Sequence, residues 1–167
     1  MLNQRTYPAK DPDDISFMRL ALEEAGLAFL KGEVPVGAVL VRGGEVIARS
    51  HNLRETTNDP TAHAEVLAMR EGAKKLGAWR LTGLTLYVTK EPCPMCAGTM
   101  VNARLSKLVF GCSDSKGGAV ISLYRLLEDN RLNHRVEVVS GVLEGECAGM
   151  LSEFFKNKRR LGLPPEG

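Results

Sequence analysis

The chain holds 167 residues, 44% of them hydrophobic and 25% charged, with a net charge of +2. That is enough for one ordinary domain with its own core, and no apolar run approaches the roughly 20 residues of a bilayer-spanning helix. The small charge excess does not by itself argue for nucleic-acid binding, and four unevenly spaced cysteines do not make a secreted disulfide scaffold.

Residues 1–12 read as a leader, followed by one domain over 13–160 and a tail over 161–167. The leader "MLNQRTYPAKDP" lacks the apolar stretch of a signal peptide, so a cytoplasmic location is the expectation. Asp13 or Asp14 is placed to cap a helix running to about Lys31, with Ile15, Met18, Leu22, Ala25 and Phe29 on one face. "VGAVLV", 36–41, reads as a buried strand, "RGGE" as a tight turn and "VIARS", 46–50, as the returning strand of a hairpin.

"HNLRETTNDPT", 51–61, reads as a polar loop. A helix follows from about Ala62 to Leu76, with Val66, Met69, Ala73 and Leu76 as its inward stripe. "LTLYVT", 84–89, is a strand, and Pro94 suits the first turn of a helix to about Arg104. "KLVF", 107–110, is a strand, "AVISLYRLLED", 119–129, is expected to be a helix, and "VEVVSG", 136–141, is the last strand. The final helix, 144–160, turns Cys147, Met150, Leu151, Phe154 and Phe155 inward and ends in "KNKRR". That basic run suits either a solvated helix end or a tail that touches a polyanion.

This order argues for an α/β fold, a three-layer α/β/α sandwich around a mixed five-stranded sheet. The opening hairpin is antiparallel, and the later strands, joined through helices, run parallel. In such sheets a ligand site lies at the carboxyl ends of the parallel strands, and "EPCPMC", 91–96, leaves one of those ends.

Cys93 and Cys96 form a Cys-x-x-Cys pair with three uses to weigh. A redox pair of thioredoxin type needs a different order of elements. A structural zinc site needs a second close pair, and Cys112 and Cys147 are too far apart in sequence to supply it; they read as small buried hydrophobes. A catalytic zinc site needs one more ligand and keeps a position open. Of the three histidines, His51 and His134 fall in expected loops without acidic neighbours, whereas His63 opens a helix with Glu65 two residues on. His63, Cys93 and Cys96 would then meet where two helices start, and those N-termini favour thiolates and bound hydroxide. Glu65 could reach the activated water without binding the metal, which is the place of a proton shuttle.

The "HAE" of 63–65 together with "EPCPMC" resembles the zinc-dependent nucleobase deaminase superfamily, with a cytidine deaminase-like fold. The resemblance runs from about residue 15 to 160 and is closest to the bacterial tRNA-specific adenosine deaminases, through "GEVPVGAVLV", "DPTAHAEVLAMREG", "SDSKGGAVISL" and "LNHRVEVVSGVLEGEC". It implies adenosine-to-inosine conversion at the wobble position of a tRNA anticodon. It implies one zinc per chain on His63, Cys93 and Cys96, with Glu65 moving protons, and a homodimer whose site lies near the subunit boundary. Asn52 would stand beside the bound nucleotide, unless it is a turn former. Ala64 would offer backbone atoms to the base. Asp114 and Lys116 of the "SDSKGG" segment would lie next to the RNA, unless that segment is an ordinary polar turn. Lys90 and Cys112 depart from the family pattern. Two other readings stay open: a deaminase of a free base or nucleoside such as guanine, and a zinc-stabilised RNA-binding subunit without turnover.

Overall fold

The computed structural model describes residues 12–164, so the expected leader, except Pro12, and the last three residues of the expected tail lie outside the described residues. The elements are α1 (Pro12–Leu30), β1 (Gly37–Arg42), β2 (Glu45–His51), α2 (Arg54–Thr57), α3 (Ala64–Leu76), β3 (Leu84–Lys90), α4 (Pro94–Asn102), β4 (Lys107–Cys112), β5 (Glu137–Val139) and α5 (Glu144–Arg160). The five strands form one sheet in the order β2-β1-β3-β4-β5. β1 runs antiparallel to β2 and β3, while β3, β4 and β5 are parallel. The expected mixed sheet and three layers are therefore present.

Strand alternation divides the core into two halves. Val39, Val41, Tyr87, Val109 and Val139 point to one face and pack with Met18, Ala21, Leu22 and Cys147 of α1 and α5. Ala38, Leu40, Leu86, Val88, Leu108 and Phe110 point to the other and pack with Val66, Met69, Ala97 and Met100 of α3 and α4. Both faces are covered, as the near-continuous apolar runs of β1, β3 and β4 require.

Four expectations are corrected. First, residues 119–129 form turns and no helix. The N–H groups of Val120, Ile121 and Ser122, which would open such a helix, are drawn to the Glu91 carboxylate. Ala119, Val120 and Leu127 are buried while Leu123 and Tyr124 face solvent, so burial here does not follow a helical stripe. β5 still pairs parallel to β4 across this irregular crossover.

Second, neither Asp13 nor Asp14 caps α1, because the helix already starts at Pro12. Asp14 is instead buried and accepts a hydrogen bond from the Tyr87 hydroxyl at 2.8 Å. Third, part of the polar loop 51–61 is ordered as α2, whose Glu55 and Thr56 N–H groups donate to the buried Glu33 carboxylate at 3.2 and 2.6 Å. Fourth, His51 lies at the end of β2 and does have an acidic neighbour, Glu24 at 2.9 Å. His134, by contrast, bonds the Leu105 carbonyl at 2.7 Å.

α1 crosses β1 at Gly37, where an added Cβ would run into the backbone of Ala21 and Ala25. A helix backbone cannot yield as a flexible side chain can, so Gly37→Ala must lift α1 from the sheet. The expected loss is about 2–3 kcal/mol, read as a lower urea midpoint. An unchanged midpoint would mean that helix and strand are not in this close contact.

Candidate active site

The site forms where β3 and β4 end and α3 and α4 begin. His63 is the N-cap residue of α3, in extended backbone (φ −78°, ψ 147°). Cys93 is the N-cap residue of α4 (φ −75°, ψ 173°), with Pro94 preset for the first turn and Cys96 inside that turn. Neither cap side chain satisfies its helix's first N–H groups, so both helix starts present partial positive charge to the same point.

His63 Nδ1 stands 3.6 Å from Cys93 Sγ and 3.5 Å from Cys96 Sγ. All three donor atoms lie within 4.8 Å of one another, and among the described residues no other such group of His, Cys, Asp and Glu occurs. A tetrahedral ion with Zn–S of about 2.3 Å and Zn–N of about 2.0 Å requires an N···S separation near 3.6 Å. The donors therefore fit zinc in both type and spacing. Cys112 is not among them; it is buried and its Sγ faces the Thr89 carbonyl. Burial pushes the Cys112 thiol up to about 11 and Cys147 up to about 12, as expected of inert core cysteines.

The protons of the cluster are strongly biased. The hydrogen bond from Cys96 is the main cause that pulls the Cys93 thiol down to about 4, against burial and with help from His63. The same bond, together with burial, pushes Cys96 up. His63 is raised, chiefly by its hydrogen bond to Cys93. Glu65 is 4% exposed and raised as well, with burial as the main cause. A carboxyl whose affinity for a proton is raised by burial is suited both to take and to return one.

A cleft of about 640 Å³ opens over this cluster. Seven of the eight expected site residues line it: Asn52, His63, Ala64, Glu65, Cys93, Asp114 and Lys116. Cys96, fully buried, sits behind the wall. Asn52 does act as a turn former, accepting from the Arg54 N–H at 3.2 Å and donating to the Val34 carbonyl at 3.3 Å, while it also faces the cleft. Lys90 pairs with Asp114 at 2.9 Å, so the unusual lysine is part of the rim.

Sequence reading missed Arg54, Phe155 and Arg159 as cleft residues. Phe155 was expected inside the core. The signal lay in its immediate neighbour, since Phe154 alone already supplies the buried aromatic of that turn. Two buried carboxylates were also missed: Glu91, which lines the cleft beside Cys93, and Glu33, which lies outside its lining. Each follows a glycine or lysine and precedes Val or Pro in an apolar stretch, which is where a charge needs a reason.

Sheet order and a His/Cys/Cys group that could bind a metal are together those expected of the nucleobase deaminase class. A family described as MafB19-like deaminase matches residues 12–159, and the chain belongs to that family. Within the wider superfamily it stands with the tRNA-specific adenosine deaminases. It is 58% identical over 147 residues to the tRNA-specific adenosine deaminase of Bacillus subtilis, covering 88% of this chain and 91% of that one. A solved structure from studies of A-to-I editing by tRNA:A34 deaminases superposes with a TM-score of 0.79 at 48% identity, covering 81% of this chain and 98% of that one. Guanine deaminase from Bacillus subtilis superposes less well, with a TM-score of 0.56 at 41% identity over 59% of this chain and 63% of that one.

If the three donors form the metal centre, Cys93→Ala loses the tightly held ion while the folded chain persists on its two-sided core. Elemental analysis after dialysis against a weak chelator checks this, with about one equivalent expected in the parent protein. Equal metal in parent and variant would remove Cys93 from the centre.

Proposed function

We propose that the chain deaminates adenosine to inosine at the wobble position of a tRNA anticodon. The observation that carries the chemistry is Glu65, buried against a three-donor cluster at the floor of an open cleft. The reaction consumes water and releases ammonia. The oxygen joins the ring carbon that bears the amino group, and the C–N bond to that group breaks.

His63, Cys93 and Cys96 would hold one zinc, which when bound supplies a Lewis acid that makes water nucleophilic near neutral pH. Glu65 takes the water proton and later delivers it to the departing amine. Its raised affinity for a proton suits both halves of that task. Ala64 offers backbone atoms beside the base at the start of α3, and Asn52 borders the same space. A purely structural metal site has no use for a buried carboxyl in this position, which argues against an RNA-binding subunit without turnover.

The substrate reading rests on kinship and on the rim. Arg54, Lys116 and Arg159 bring cations to the cleft from α2, the 113–118 segment and α5. Cations there complement a phosphate backbone. A free neutral base such as guanine has no use for them. A base in a single-stranded anticodon loop is splayed into a pocket at small cost. Residues 13–160 act as the catalytic unit, as a homodimer and in the cytoplasm, in keeping with kinship to tRNA-modifying enzymes; no described helix is long and apolar enough to cross a membrane.

Two outcomes are expected. Glu65→Ala keeps its metal and loses on the order of 10²-fold or more in turnover. Parallel incubations with an anticodon stem-loop bearing a wobble adenosine and with free guanine yield inosine from the first. Xanthine from guanine with no inosine would overturn the substrate, and undiminished turnover in Glu65→Ala would overturn the proton shuttle.

A further inference from the structure

We propose that Glu91 is a positioning residue that fastens the 113–122 segment to the metal loop and so sets where the RNA beside the target base is held. This role rests on the RNA reading above. Glu91 is 2% exposed. Its Oε1 accepts the backbone N–H groups of Val120, Ile121 and Ser122 at 3.2, 2.8 and 2.9 Å. Its Oε2 accepts the Asp114 N–H at 2.9 Å and the Ser122 hydroxyl. The Glu91 N–H donates to the Cys112 carbonyl at 2.8 Å, and the next carbonyl, Pro92, accepts from the Ala119 N–H at 2.8 Å.

The segment is neither helix nor strand, so its inward N–H groups have no ladder to join. A carboxylate is the one side chain of this size that offers acceptors on both oxygens and no donor. Gly118 closes the arrangement, since a Cβ there would collide with the Glu91 carboxylate. The same segment carries Asp114, whose Oδ1 accepts the Lys116 and Gly117 N–H groups at 3.0 and 3.1 Å and whose Oδ2 pairs with Lys90. Asp114, Lys116 and Gly117 all face the cleft. The metal donors, in contrast, are set by the starts of α3 and α4. Loosening Glu91 should therefore move the RNA-side wall and leave the donors in place.

Steady-state kinetics on an anticodon stem-loop test this in the full chain, with metal content measured in parallel. Glu91→Gln turns an amide N–H₂ toward N–H donors and should raise KM about 10-fold or more, with kcat within about 3-fold and metal unchanged. Ser122→Ala removes one contact from the opposite side and should raise KM about 3-fold, while Ser122→Thr keeps the hydroxyl and restores it. A fall in kcat at unchanged KM, or a loss of metal, in Glu91→Gln would overturn the role. Should that variant not fold, the Ser122 pair decides, and an unchanged KM in Ser122→Ala overturns it. A parent protein that leaves the stem-loop unaltered overturns the RNA reading and this role together. An active parent whose variants keep its KM overturns the role alone.

Discussion

The parallel pairing of β3 with β4 is the constraint on which the site depends. Their register, Thr85 with Lys107 through Lys90 with Cys112, brings both carboxyl ends to one edge of the sheet. The chain leaves β3 directly into Cys93, Pro94 and the start of α4. It reaches α3 from the β1–β2 side, where antiparallel pairing of β1 to β3 sets the distance. His63 is thereby brought within 4.8 Å of Cys93 and Cys96, which lie 30 and 33 residues further along the chain. A register slip of one residue in β3 would exchange the faces of Leu86 and Tyr87 and turn the metal loop away, so the buried pattern of the strand also fixes the site.

Buried acids mark how polar groups are distributed around that frame. A carboxylate removed from water is tolerated when several donors replace its hydration. Asp14 has the Tyr87 hydroxyl, with Lys107 at 3.8 Å. Glu24 has Arg49 and His51. Glu33 has two N–H groups of α2. Glu91 has four N–H groups and a hydroxyl, and these outweigh burial so that its carboxyl lies below the ordinary range. Glu65 differs from all of these. Its surroundings are the candidate metal donors, and burial raises its affinity for a proton. The contrast separates acids that hold the fold together from the acid proposed to exchange a proton.

Much of this was legible in the sequence, for definable reasons. β1, β3 and β4 are continuous apolar runs, and α3 and α5 carry period-3.6 stripes, so their positions could be read to within a few residues. The grouping of His63, Cys93 and Cys96 was legible because a metal site would demand few residue types at short spacing. The 119–129 turn segment was not. Its composition is helical in character, with two leucine pairs at the right interval, and what prevents the helix is a carboxylate outside it, at Glu91. α2 was hidden for the same reason, since four residues of "RETT" become a helical turn only when Glu33 receives their N–H groups. Local propensity is a weak prior where one tertiary acceptor captures several backbone donors.

The same asymmetry bears on substrate choice. Donor cluster and glutamate are fixed by regular elements, and in the proposed reaction they would serve any purine or pyrimidine whose amino group can be displaced. Discrimination falls to the walls, and these come from irregular pieces: α2 held by Glu33, the 113–122 segment held by Glu91, and the Phe155–Arg159 face of α5. An aromatic ring and a guanidinium one helical turn apart suit a stacked base with a phosphate beside it. A neutral free base would meet the floor of the cleft and leave these walls unused. On the proposed function, selectivity for a polynucleotide would reside in the parts of the chain whose conformation depends on buried carboxylates, and the reaction in the helix starts that hold the donor cluster.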